Sequence, residues 1–210
     1  MATYTDDFNR SNSGTLGANW TVLSSTSGSN DSMAVSSNQC IYSNGSDRIS
    51  AVAYNNSFNA DQYSQYKMVI SDSSGGFSRT AAVATRMSGG PPTYSNGYLG
   101  GSTTDSAAVI YLFLSGSYTL LQGGMATFSA NDILKMTSIG STHTLYRNGS
   151  SQGSASDGSI SAANPSGIRM DCNAPSGAVP TIDDWEGGDP SAASGWGPLV
   201  GMARNRLVAN

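Results

Sequence analysis

The chain has 210 residues, the length of one ordinary domain or two small ones. Charged residues make up 11% and apolar residues 38%, against about 25% and 45–50% in an average domain; Ser, Thr, Asn and Gly fill 94 positions and Glu occurs once, at Glu186. Such a composition excludes a helix bundle, which draws on Glu, Lys, Ala and Leu, and a net charge of −4 with ten scattered basic residues excludes a phosphate-binding surface for nucleic acid.

Ten Tyr, three Trp and five Phe are enough to fill a core, so low charge does not here mean disorder. No apolar run reaches the roughly 18–20 residues a membrane helix needs, so no membrane partner is expected. Residues 1–10 are polar and acidic and lack the apolar stretch of a secretory signal. In chain order, alternating runs separated by Gly, Ser and Asn predict strands at Met33–Tyr42, Arg48–Tyr54, Tyr66–Ser71, Thr80–Met87 and Ala107–Leu114. Further strands are predicted at Tyr118–Gln122, Ile133–Ile139, Thr142–Arg147 and Ile168–Cys172. Ser115-Gly116-Ser117, Gly140-Ser141 and Asn148-Gly149 read as hairpin turns, the last accepting the positive φ angles of a type I′ turn. They predict an antiparallel meander from Ala107 to about Ala155. A single helical turn is expected near Ser159–Ala163 and otherwise negligible helix. The fold class is all-β, a sandwich or barrel of about a dozen strands.

Cys40 and Cys172 form either one disulfide or two buried thiols, and with His143 as the lone histidine they cannot make a zinc site. After Asp189, the small-residue linker Pro190–Gly195 divides a domain at 1–189 from a tail at 190–210. That tail places Trp196, Leu199, Val200, Arg204, Arg206, Leu207 and Val208 together. It reads either as a final strand wrapped on the surface or as an arm docking on a neighbouring subunit.

The opening run Asp6-Asp7-Phe8-Asn9-Arg10, leading to Leu16-Gly17-Ala18-Asn19-Trp20, resembles the first strand and loop of the concanavalin A-like lectin/glucanase superfamily. Asn131–Lys135 followed by Thr144–Gly149 resembles a back-strand hairpin of that family, and Ile182–Glu186 its closing strand, which pairs near the first. The resemblance covers about residues 3–189 and implies a two-sheet antiparallel β-sandwich, a laminin G-like jelly roll, with Phe8, Trp20 and Trp185 as core anchors.

Three kinds of chemistry follow as expectations. Relatives that cleave glucans use a Glu-x-Asp-x-x-Glu run; here that run is absent, and Asp184 with Glu186 is the nearest pair sharing a strand face, so no enzyme is expected. His143 has no nucleophile motif around it and is expected as a surface or cross-strand residue. The resemblance implies calcium as a candidate cofactor where terminal strands meet, held by Asp6 or Asp7 with Asp183 or Asp184. A glycan would need exposed aromatic rings beside amides, and the Pro91–Tyr98 segment offers Tyr94, Asn96 and Tyr98. The absence of a signal and the resemblance to small virion sandwiches imply a non-enzymatic phage capsid decoration or tail-appendage subunit. Such a subunit would be a homo-oligomer contacting other virion proteins, made in the host cytoplasm and displayed on the virion surface. The alternative is an extracellular, free-standing carbohydrate-binding module.

Overall fold

Alternation decides which side of each strand is buried. In Ala108–Leu114, Ala108, Ile110 and Leu112 point into the core while Val109, Tyr111 and Phe113 point to the opposite face. A strand apolar on both sides needs cover on both.

The structure, a computed structural model, describes residues 2–25, 33–42, 48–70, 79–89, 95–102, 107–172 and 179–190, and every count below refers to these. Fifteen strands run in chain order as β1 (Thr3–Asp6), β2 (Trp20–Ser25), β3 (Met33–Ser36), β4 (Gln39–Tyr42), β5 (Arg48–Tyr54), β6 (Gln62–Ile70), β7 (Arg79–Ser88) and β8 (Asn96–Ser102). They continue as β9 (Ala108–Leu114), β10 (Ser117–Met125), β11 (Ile133–Ile139), β12 (Thr142–Arg147), β13 (Ser150–Ser156), β14 (Gly167–Cys172) and β15 (Thr181–Gly188). They build two antiparallel sheets packed as a sandwich. The first has the order β13-β12-β11-β6-β15-β4-β3, with β1 also paired to β15; the second has the order β10-β9-β8-β7-β14-β5-β2. The expected all-β sandwich is what the chain forms.

The core between the sheets is aromatic at the end where the first and last strands meet. Trp20 and Trp185 meet edge-on at 4.8 Å, Tyr54 stacks on Trp185 at 5.0 Å, and Phe8 stacks on Trp20 at 6.2 Å. Phe8, Trp20 and Trp185 are thus the anchors that the sequence suggests. Asp6 is the polar hub beside them. Its carboxylate accepts from the Phe8 amide (2.8 Å), from Trp20 Nε1 (2.7 Å) and from both terminal nitrogens of Arg10 (2.6 and 3.1 Å), and Arg10 also donates to the Leu16 carbonyl at 2.7 Å. This network explains the Asp-x-Phe-x-Arg…Leu…Trp spacing. The closing strand lies against the first, with Thr3 opposite Gly188 and Asp6 opposite Trp185.

Three expectations change. Met33–Tyr42 is two strands, because Ser37 and Asn38 take positive φ (53° and 61°) and reverse the chain. The meander splits between the sheets: β9 and β10 pair in the second sheet, whereas β11, β12 and β13 pair in the first. Phe128, buried in the core, lies on the connection that makes this crossing. Residues 159–163 form no helical turn; they are irregular, and the Ile160 carbonyl accepts from Arg86 at 2.8 Å. Of the two states open to the cysteines, the free one holds for Cys40, a buried thiol on β4 of the first sheet, while Cys172 ends β14 of the second.

Candidate functional site

On the outer face of the second sheet, alternation places Ala82 and Ala84 of β7, Leu99 and Gly101 of β8, Val109, Tyr111 and Phe113 of β9, and Arg169 and Asp171 of β14. Strands about 4.8 Å apart would separate β10 from β14 by about 19 Å in a flat sheet. Yet the Tyr118 hydroxyl on β10 donates to Asp171 Oδ2 on β14 at 3.0 Å, which two side chains alone could not span. The sheet therefore curls, and its outer face is a groove. Small residues on the floor permit the curl: a Cβ on Gly101 would come within 2.7 Å of the Ala81 carbonyl.

Within the groove lies a pocket of about 290 Å³, lined by Thr80, Ala82, Leu99, Gly101, Val109, Tyr111, Tyr118, Arg169 and Asp171. That is near the lower bound of small-ligand sites, about 300 Å³. Tyr118 meets Tyr111 edge-on at 5.5 Å and leans on Phe113 at 4.5 Å. The Arg169 guanidinium lies 4.1 Å from the Phe113 ring centre and 4.9 Å from that of Tyr118, a cation held between two π faces. Its Nε donates to Asp171 Oδ1 at 3.1 Å and its Nη2 to the Tyr118 hydroxyl. Its Nη1 is buried with no partner among the described residues, an arrangement that costs about 1–3 kcal/mol. Burial and the Asp171 carboxylate push the Tyr118 phenol well above its ordinary pKa, so it stays a donor.

The expected site residues fall elsewhere. Tyr98 is fully buried on the inner face of β8, its ring stacked 3.6 Å from His143 and its hydroxyl donating to Asp157 Oδ1 at 2.6 Å. As a core residue it presents no face to a sugar. Asn96 accepts from the Ser115 amide at 2.8 Å and so anchors the β9–β10 turn. Tyr94 and the arm residues Trp196, Leu199, Val200, Arg204, Arg206, Leu207 and Val208 lie outside the described residues.

Both oxygens of Asp6 are engaged by Arg10 and Trp20, and Asp7 accepts from the Asn9 amide at 3.0 Å. Burial first, then the charges of Asp184 and Asp7, push the Asp183 carboxyl up. Among the described residues no three of His, Cys, Asp and Glu gather into a metal-holding group. Asp184 takes φ 50° in a bulge between Asp183 and Glu186, so Asp183 opposite Lys67 and Glu186 opposite Gln65 share the outer face; Asp184 does not pair with Glu186 as strict alternation would have it. Glu186 instead accepts from the Tyr63 hydroxyl. Lys135, its ammonium 3.9 Å over the Tyr63 ring, is drawn down to about 8 by burial.

His143 is cross-strand from Ser138, as one of its two expected placements has it, but buried rather than on the surface. Its Nδ1 is 2.8 Å from Ser138 Oγ and its Nε2 3.0 Å from the Asp157 carbonyl, and burial lowers its pKa.

No family model matches the sequence, and no curated protein is significantly similar to it. Solved structures are similar. The carbohydrate binding module CBM66 from Bacillus subtilis superposes with a TM-score of 0.55 at 16% identity, over 81% of this chain and 94% of that one. The chain has the concanavalin A-like lectin/glucanase fold. The VIP36 exoplasmic/lumenal domain in its Ca2+/Man3GlcNAc-bound form shares it with a TM-score of 0.54 at 8% identity, over 85% and 87% of the two chains. So does LamAcat from Zobellia galactanivorans, with a TM-score of 0.50 at 11% identity over 88% and 94%. Identities this low carry the concanavalin A-like fold and no residue roles.

Tyr111, Tyr118, Arg169 and Asp171 are absent from the residues that the sequence singles out. Two signals were available. Val109-Tyr111-Phe113 is an apolar outer face on a strand already apolar inside, and Arg169 with Asp171 at i and i+2 share one face. Their convergence across four strand positions has no local signature.

Proposed function

We propose that the groove binds carbohydrate and that the protein is a carbohydrate-binding module that does not turn its ligand over. The observation that carries this is the groove itself: Tyr111 and Tyr118 offer rings to a sugar face, beside the hydrogen-bonding groups of Asp171, Thr80 and Arg169. Rings on a rigid sheet bind with little loss of side-chain entropy. Hydrolysis by paired carboxyl groups would need a second acid, and the pocket lining has Asp171 as its carboxylate. Two fold neighbours, one a carbohydrate binding module and one a domain solved with Man3GlcNAc bound, add support.

The test is a glycan array followed by calorimetry on any hit. Tyr111→Ala and Asp171→Ala should each weaken binding about tenfold or more, the scale of a central contact. Hits whose affinity ignores both changes would move the ligand out of this groove.

A different observation supports an assembly role, such as the phage virion subunit. Strand β10 is a sheet edge that exposes Leu120 (56%), with Leu114 (38%) exposed at the end of the neighbouring β9, and an apolar edge favours strand addition by a neighbouring chain. Sedimentation of the native material, with and without residues 190–210, tests it: a small species in both cases removes the assembly role. Calcium at Asp6 or Asp7 with Asp183 or Asp184 is proposed as the family resemblance implies it, with the oxygens that a trio of carboxylates does not supply coming from backbone carbonyls and water. A Tm unchanged between calcium and chelator would withdraw it.

A further inference from the structure

The Tyr118 hydroxyl makes a pair of contacts that is unusual for a half-exposed phenol. It accepts from the Arg169 guanidinium and donates to the Asp171 carboxylate, closing a triangle whose third side is the Arg169–Asp171 ion pair. Accepting from a guanidinium while donating to a carboxylate is also what one hydroxyl of a sugar does in a polar site. The guanidinium is only 1% exposed, and the ring covering it is the one that forms this triangle. Beneath that ring, Nη1 is without an acceptor among the described residues.

We propose that Tyr118 is a resident stand-in for ligand: its hydroxyl holds the Arg169–Asp171 pair until a sugar hydroxyl displaces it. This inference rests on the carbohydrate reading of the groove and names the class of ligand and the specificity residues. The incoming hydroxyl accepts from Nη2 and donates to Asp171, and a vicinal hydroxyl on the same ring supplies the acceptor that Nη1 lacks. Tyr118 can leave because it is 45% exposed and stands one residue inside the Ser115-Gly116 turn, so its ring swings toward solvent without breaking the core. Once swung, the ring flanks the pocket beside Tyr111. The ligand is a neutral sugar with a vicinal diol. Asp171 already balances the charge of Arg169, and the carboxylate of an acidic sugar would sit against Asp171.

Removing the stand-in hydroxyl while keeping the ring separates this from a simple aromatic platform. The probes are neutral gluco-, manno- and fructo-oligosaccharides and, beside them, oligomers of uronic acids, titrated into the full chain and into Tyr118→Phe, with Tm checked first. The phenylalanine variant should bind the neutral probe more tightly by roughly tenfold or more, because the two hydrogen bonds of the Tyr118 hydroxyl no longer have to be displaced. Asp171→Asn and Arg169→Lys should lose the preference for vicinal diols. Binding by Tyr118→Phe where the full chain binds nothing would support the same conclusion. Equal or weaker binding by Tyr118→Phe would overturn the stand-in while leaving the groove a carbohydrate site. Preference for uronic acids would overturn the neutral-ligand assignment. Failure of both proteins to bind any probe would overturn the carbohydrate reading and this inference with it.

Discussion

A single carboxylate, Asp6, holds together the strand, loop and indole that open the fold. Removing it leaves Arg10, Trp20 Nε1 and the Phe8 amide without their acceptor in a largely buried setting. Asp6→Ala should therefore cost about 3 kcal/mol, the lower end for breaking a buried ion pair because Arg10 is partly exposed. Asp7→Ala, whose carboxylate is exposed and bonds one amide, should cost less than about 1 kcal/mol. Urea midpoints for the two variants make the comparison, and equal losses would remove Asp6 from its place as hub.

His143 gives a pH signature with a definite sign. Burial lowers its pKa below the ordinary 6.5, so the folded chain keeps it neutral. As pH falls below 6.5, the unfolded chain takes up a proton that the folded chain refuses, and stability declines until the folded pKa is passed. The slope of Tm between about pH 7 and pH 5 should therefore be flatter in His143→Gln than in the parent, whatever the absolute Tm. An unchanged slope would mean that His143 carries no proton linkage.

Strand β14 shows what an element needs beyond pattern. It sits between β5 and β7, and Gly167 at its start lies where an added Cβ would come within 2.0 Å of the Val52 carbonyl and 2.9 Å of Ala53 Cα. Both are backbone atoms and have no rotamer in which to retreat. Gly167→Ala should push β5 and β14 apart and lower stability by about 3 kcal/mol or more, whereas Gly158→Ala, with nothing within 4 Å, should change it by no more than about 0.5 kcal/mol. Thermal melts of both proteins decide; similar values would deny the close approach. Most strand positions were legible because alternation and Asn-Gly or Gly-Ser turns are local. The β3–β4 reversal was missed since Ser37-Asn38 is a weaker turn signal than Asn-Gly, and Asn38 had to tolerate φ 61° without glycine. The bulge at Asp184 was missed because two residues opposing one leaves no trace in composition.

At the scale of the molecule, the groove exists because the second sheet curls far enough for β10 to reach β14. Arg86, fully buried, helps close one end of the sandwich by donating to the carbonyls of Ala60, Ile160 and Gly140 at 2.9, 2.8 and 2.6 Å. Each contact joins separate segments. Arg86→Ala should lower Tm and loosen that end, because it would leave the buried Ile160 carbonyl and the less buried Ala60 and Gly140 carbonyls without this donor; faster amide exchange at Ile160 would be the sign.

The sequence by itself determined the all-β class, the aromatic anchors Phe8, Trp20 and Trp185, and the pairing of first and last strands. The class follows from composition and period-two alternation, which local physics reads directly; the anchors and the terminal pairing follow from the resemblance of short spaced motifs to a known family. Tertiary structure alone decided that Tyr98 and His143 are core, that Asp6 is bound to Arg10, and that Tyr118, Arg169 and Asp171 meet. Those outcomes depend on which strands become neighbours and on how sharply a sheet curls, and both are set by the packing of distant segments.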